Sequence, residues 1–248
     1  MSDIARYRES ESEKARAADL MQMLPVGRIS ALDVGARDGY FSRLLTQRFA
    51  SVTALDLQAP SFRHAGVTTI AGDVTNLPFA DSAFDCVFCA EVLEHVPDVE
   101  RACHELGRVA RHELVIGVPF RQDTRVGRTT CPNCKKTNPP WGHVNRFDER
   151  RLLRLFPAFR VISRSYVGVN NAATNAAAAA LMDLAGNPWG TYDQEEPCIR
   201  CGARLRAPAV SSLFSRTCGA LAVRINMIQG LLTQPRGNWI HLLLGKDP

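Results

Sequence analysis

The sequence predicts an α/β fold built on a doubly wound parallel sheet. Three observations predict it. Short apolar runs alternate with stretches of helical period, as repeated βαβ units require. One run, "AFDCVFCA", is apolar on both faces, as a central parallel strand should be. Acids recur at the ends of three successive strands, Asp33, Asp56 and Asp73, where an open sheet places its ligands.

The elements follow in order. Residues 11–24 form a helix that stops near Pro25, and "SALDVG" is the first strand. "GYFSRLLTQRFA" has helical spacing at Phe41, Leu44, Leu45 and Phe49. "SVTALDL", "GVTTIAGD" and "AFDCVFCA" are the second to fourth strands. "EVLEHV" and "VERACHELGRVA" read as helices, and "HELVIGVPF" as the fifth strand. After an irregular stretch, "DERRLLRLFP" is a helix and "FRVISRSYVGV" a sixth strand. A second irregular stretch holds a short alanine-rich helix. "SSLFSRTCGALAVRINMIQGLLTQ" is amphipathic, with Leu213, Thr217, Leu221, Ile228 and Leu231 on one face; the sheet is its expected partner, and a membrane surface or a second subunit are the alternatives. "NWIHLLLGK" closes as a strand.

A chain of 248 residues accommodates one such domain with a small module. The net charge of +5 comes from 26 arginines and 4 lysines against 25 acids. That excess permits an anionic partner without demanding one. The N-terminal stretch lacks an apolar signal core, and no apolar run has transmembrane length. The expected compartment is the cytoplasm, where thiols stay reduced.

Gly35 and Gly39 mark the turn after the first strand, where glycine permits positive φ and close approach of a ligand. Arg37 stands where a dinucleotide-binding turn has its middle glycine, and it crowds the position of a pyrophosphate. Asp33 would repel a phosphate and suits an ammonium or sulfonium group. Asp56 can accept both hydroxyls of a ribose, and Asp73 an adenine amino group. The pocket is acidic and suited to a cationic nucleoside without phosphates, which disfavours a dehydrogenase.

"CPNC" (Cys131, Cys134) and "CIRC" (Cys198, Cys201) are a second signal. Four thiolates on two tight turns complete a tetrahedral zinc shell, with no open position and therefore a structural role. His143 is an alternative ligand. Cys86, Cys89, Cys103 and Cys218 read as packing residues; Cys86 and Cys89 point to opposite faces of their strand and cannot chelate together.

"LDVGARDGYFSRLL", "VTALDL", "AGDVTNLPFADSAFDCVFCAEVLEHV" and "HELVIGVPF" together resemble the ordered motifs of class I S-adenosylmethionine-dependent methyltransferases, in the type 11 small-molecule branch. The resemblance covers residues 30–120. It implies a Rossmann-like seven-stranded doubly wound sheet with the last strand antiparallel, here with a zinc-clipped insertion. It implies that Asp33, Gly35, Arg37 and Gly39 surround the methionine part of the cofactor, Asp56 and Leu57 hold the ribose, Asp73 and Val74 the adenine, and that Glu91 begins the floor near the methyl group. By the same resemblance the loop carrying His143 roofs a substrate cavity.

Residues 1–120 are therefore expected to form the cofactor-binding part. Residues 121–145 and 169–210 form a small zinc module and substrate lid, and 146–168 and 211–248 complete the sheet. Methyl transfer to a hydroxyl gains from a general base. The candidates are His95, one helical turn after Glu91, and His143. Tyr7 is placed to fold over the cofactor. The expected activity is methylation of an oxygen, with nitrogen second, on a small or carrier-linked metabolite. An RNA methyltransferase and a partner protein without turnover are the alternatives; nucleic acid is disfavoured by the absence of a lysine cluster and of an aromatic stacking platform.

Overall fold

The computed structural model describes residues 8–208, 212–231 and 233–246. Tyr7 lies outside the described residues, as do 209–211 and Leu232 at the edges of the amphipathic segment. The chain forms two compact units. The first comprises residues 1–120, 147–168 and 237–248, and the second residues 121–146 and 169–236.

The first unit holds helix α1 (Glu11–Met23), β1 (Ser30–Val34), α2 (Tyr40–Leu45), β2 (Ser51–Asp56), β3 (Val67–Ala71), β4 (Phe84–Ala90), α3 (Val99–Val109), β5 (Ala110–Pro119), α4 (Glu149–Leu155), β8 (Phe159–Val167) and β9 (Trp239–Lys246). They make a seven-stranded sheet in the order β3-β2-β1-β4-β5-β9-β8. β1 pairs in parallel with β2 and β4, and β9 runs antiparallel to both β5 and β8. The strand order reverses between β1 and β4, which creates the crevice where open α/β sheets take their ligands.

The core lies on both faces of the sheet. Alternate residues of β4 serve opposite sides: Val87 and Cys89 pack with α3 residues such as Leu106, while Cys86 and Phe88 pack with Leu20 of α1 and Phe41 of α2. All seven residues of β4 are buried, Asp85 included, as a central parallel strand requires.

Residues 91–96 are turns and not the expected helix. Glu91 takes φ 58°, the left-handed region, so the chain leaves β4 through a sharp bend that cannot start a helix. The one-turn relation between Glu91 and His95 is lost with it.

The second unit holds a two-stranded hairpin, β6 (Thr129–Thr130) with β7 (Thr137–Asn138), a short 3-10 turn at Pro140–Gly142, and helices α5 (Ala176–Leu184) and α6 (Leu213–Gly230). α6 packs on α5 and groups with this unit, not with the sheet as its amphipathic pattern led one to expect. The physical reason is the size of its inward side chains. Cys218, Gly219 and Ala222 form the buried face, and small residues fit the flat surface of the alanine-rich α5.

Candidate active site and four-cysteine cluster

Asp33 is buried in β1 and accepts a hydrogen bond from Ser42 Oγ of α2 at 2.5 Å. Burial pushes its carboxyl up to about 7; the Ser42 bond opposes the rise and the neighbouring Asp56 carboxylate adds to it. Asp33 thus titrates near neutrality, and a cation placed beside it would favour the ionised form.

The turn that follows is held by backbone bonds from Gly35 and Ala36 N–H to Leu55 O at 2.8 and 3.1 Å. Gly35 has φ 77°, and a Cβ there would lie 2.3 Å from Val92, so glycine is required twice over. Gly39 has φ 75° and a Cβ there would strike the Phe62 ring at 2.2 Å. Arg37 has φ 49°. The arginine therefore adopts the conformation a glycine would and leaves the path of the turn intact, with its side chain exposed. Its N–H donates to Asp56 Oδ2 at 2.9 Å, and Leu57 N–H donates to Asp56 Oδ1 at 2.7 Å. Each carboxylate oxygen keeps a second lone pair, so Asp56 can still take two hydroxyls.

Asp73 lies just past β3, on the strand neighbouring β2. It is exposed and accepts Thr75 N–H at 2.8 Å, with Val74 buried beside it. Leu57 is 75% exposed.

Across the crevice, Glu91 N–H bonds Gly117 O at 2.9 Å. Its carboxyl is raised by burial, against which Arg16 and a hydrogen bond from the Trp239 side chain act. Its Oε1 is buried without a hydrogen-bond partner. Glu94 is fully buried, and neither carboxyl oxygen has a partner in another residue. Burial, then the Glu91 charge, raises it well above the usual carboxylate range. Beside it His95 is held down to about 4, by burial first and by Arg37 second, so the ring is neutral at physiological pH and a weak base.

α1 contributes residues that sequence reasoning missed. Glu13 and Arg16 are buried and joined by two bonds of 2.7 Å, and Arg8 links Glu13 to Asp38 at 3.0 Å each. His241 of β9 is buried and meets Asp19 at 2.6 Å, with Nε2 unpartnered. Burial lowers its pKa, against the pull of Asp19. The available signal was in α1, whose inward stripe Ala17, Leu20, Met23 continues backwards through Glu13 and Arg16. Charge on the inward stripe of a helix marks a polar site beneath it.

Residues 32–115 match the family Methyltransf_11, described as a methyltransferase domain. The malonyl-[acyl-carrier protein] O-methyltransferase of Pectobacterium atrosepticum is 33% identical over 115 residues, 44% of this chain and 46% of that protein. The demethylmenaquinone methyltransferase of Thermobifida fusca is 40% identical over 90 residues, 32% and 38% of the two chains. The chain spans less than half the length of these curated relatives. The structure also resembles Burkholderia thailandensis 1,6-didemethyltoxoflavin-N1-methyltransferase, solved with S-adenosylhomocysteine, with a TM-score of 0.54, 15% identity and coverage of 99% and 82%. The first unit has the fold of class I S-adenosylmethionine-dependent methyltransferases, and its residues 32–115 are similar to a methyltransferase domain. Its antiparallel last strand, inserted between the fifth and sixth, completes the sheet that the resemblance implied.

The second unit lies outside the span matched to the methyltransferase family. It brings Cys131, Cys134, Cys198 and Cys201 together, their four Sγ atoms all within 4.8 Å of one another. The pairs Cys131–Cys201 and Cys134–Cys198 are each 3.6 Å apart. That is far beyond a disulfide bond and close to the edge of a tetrahedron with zinc–sulfur distances of about 2.3 Å. The two knuckles are built alike. Lys135 and Gly202, each just after a second cysteine, have φ 59° and 69°. Cys131 N–H bonds Lys136 O, and Cys198 N–H bonds Ala203 O, at 3.0 and 2.9 Å. Asn138 Oδ1 ties the knuckles by accepting Ile199 N–H at 3.0 Å. Backbone donors also aim at sulfur. Burial opposes them, yet the Arg200 and Cys201 N–H groups, with the neighbouring thiols, bring Cys198 down to about 6. The set can hold one metal ion of thiophilic character.

His143, in the same unit, is buried, and its Nδ1 lies 2.6 Å from Gln122 Oε1. The amide oxygen only accepts, so Nδ1 carries the proton and Nε2 keeps its lone pair. Gln122 is a further residue that the sequence did not flag.

Proposed function

We propose that this protein transfers a methyl group from S-adenosylmethionine to an oxygen of a small or carrier-linked metabolite, and that zinc on the four cysteines stabilises its second unit. One observation carries the cofactor reading. The buried Asp33 and the ribose-type acceptor Asp56 interact around the Gly35–Gly39 turn, beside the reversal point of the sheet, inside the span that matches a methyltransferase family. In this reading Asp33 faces the ammonium or sulfonium charge, Asp56 and Leu57 the ribose, Asp73 and Val74 the adenine, and Glu91 the methyl end. A sulfonium leaving group is already activated, so positioning and exclusion of water supply much of the rate. His143, with its Nε2 lone pair, is the stronger candidate base, and the low basicity of His95 makes it the weaker.

Oxygen as the acceptor atom is supported by similarity to the malonyl-carrier O-methyltransferases of Pectobacterium and Serratia, which are 33% and 40% identical over their matched segments. The test is transfer of a labelled methyl group to a panel of acceptors. Carboxylates and hydroxyls, free and carrier-linked, should take label, and ester products should release it as methanol in base. Label on amines alone, or on RNA alone, would overturn the assignment. Zinc is tested by metal analysis. About one equivalent is expected in freshly purified protein, and less than about half an equivalent counts against the site.

A further inference from the structure

Helix α6 buries its small side chains and exposes its large ones. Cys218, Gly219 and Ala222 face inward, where a Cβ on Gly219 would sit only 3.1 Å from the Trp189 ring. The inward polar groups are also used. Asn226 accepts from Thr174 at 2.8 Å, Gln229 accepts from Asn175 at 2.8 Å, and Ser215 donates to Ala185 O at 2.5 Å. Leu213, Phe214, Leu221, Met227, Ile228 and Leu231 are instead between 48% and 86% exposed. At helical pitch they fall on one broad arc of the helix, with Arg224 inside it. A helix that served only to cover α5 would turn these side chains the other way, because removing large apolar side chains from water is favourable.

The charge along this stretch of the sequence is of one sign. Residues 197–236 contain Arg200, Arg204, Arg206, Arg216, Arg224 and Arg236, with no Asp or Glu. All but Arg236 are exposed. Arg216 and Arg224 wall a groove of about 670 Å³ with Trp189 and Met227. No helix among the described residues is long and apolar enough to cross a membrane.

We propose that α6 lies on the surface of an anionic lipid bilayer. Its leucine, phenylalanine, isoleucine and methionine side chains enter the acyl boundary, and Arg216 and Arg224 meet headgroup phosphates. An exposed apolar stripe that carries arginines within it and at its edge and is free of acids is the composition of a helix that lies in the interface plane. A second copy of this chain fits less well, since it would bring the same acid-free arginines face to face. RNA fits less well too, since an aliphatic stripe offers bases little to stack on. This inference does not rest on the methyl-transfer reading.

The test is co-sedimentation of the full chain with phosphatidylcholine vesicles, with and without phosphatidylglycerol, while Trp fluorescence is followed. Binding to the anionic vesicles should be at least about tenfold tighter than to neutral ones, should weaken with salt, and should shift Trp emission to the blue. Leu221→Glu with Met227→Glu should abolish it. Arg216→Ala with Arg224→Ala should weaken it by about tenfold or more. These side chains are exposed, so unchanged zinc content and circular dichroism are expected in each variant. Equal binding to both vesicles, no binding, or binding untouched by the double glutamate variant would overturn the proposal. So would salt-sensitive binding to RNA alone, or dimerisation abolished by the glutamates with no vesicle binding.

Discussion

Asp33 is a carboxyl kept near neutrality by its surroundings, and that gives it a measurable signature. Its folded pKa of about 7 lies above the usual carboxylate value of about 3.9. Between those values the folded state holds a proton that the unfolded state has released. The ligand-free protein therefore loses stability as pH rises through this window. Ionised Asp33 can pair with a ligand's ammonium group: affinity for S-adenosylhomocysteine should rise as pH passes through about 7, and Asp33→Asn should weaken binding and flatten that rise. A profile unchanged by the substitution would remove Asp33 from the ligand's side. Glu94 gives the opposite kind of test. It is a buried acid whose carboxyl oxygens meet no hydrogen-bonding group of another residue, which costs about 1–3 kcal/mol. Glu94→Leu should raise the unfolding free energy measured by urea denaturation by an amount in that range while lowering turnover, since strain kept at a site is retained for function. Loss of stability in that variant would mean that an interaction of Glu94 has gone unrecognised. For the base, His143→Ala should cut turnover and spare cofactor affinity, and Gln122→Leu should do the same more mildly by freeing the imidazole tautomer.

At the scale of elements, the strands were legible because the sheet imposes its own sequence pattern. β4 is buried on both faces and reads as apolar but for Asp85; β9 reads the same way in "WIHLLLG" but for His241. The turn Gly35–Gly39 was legible because only glycine fits two of its positions. Arg37 stands at a further left-handed position of the same turn, where a side chain is carried at a cost of about 1–2 kcal/mol. Residues 91–96 were misread because "EVLEHV" has helix-forming composition, and only the left-handed φ of Glu91 shows that it bends instead. α6 was assigned to the wrong partner because amphipathicity says which face is apolar and not which face is covered. The cysteine knuckles carry a prediction at this scale. Cys134→Ser should lose the zinc and lower the melting temperature, whereas Cys218→Ser, buried on α6 away from the cluster, should keep its metal. Retention of metal by Cys134→Ser would contradict the four-ligand site.

At the scale of the molecule, the sequence divides chemistry between two units. The first carries the sheet, the acidic strand ends and the buried Glu13, Arg16, Glu91 and Glu94. Its acids at strand ends were readable one by one, but the polar groups of α1 and β9 were not, because they come to the site from opposite ends of the chain. The second carries the cysteines, His143 and the exposed face of α6. The central claim is that the first unit binds an S-adenosyl nucleoside. Titration calorimetry with S-adenosylhomocysteine tests it most directly. One site per chain is predicted, abolished by Asp56→Ala and not competed by NAD; absence of binding to folded protein, or equal binding of NAD, would contradict it.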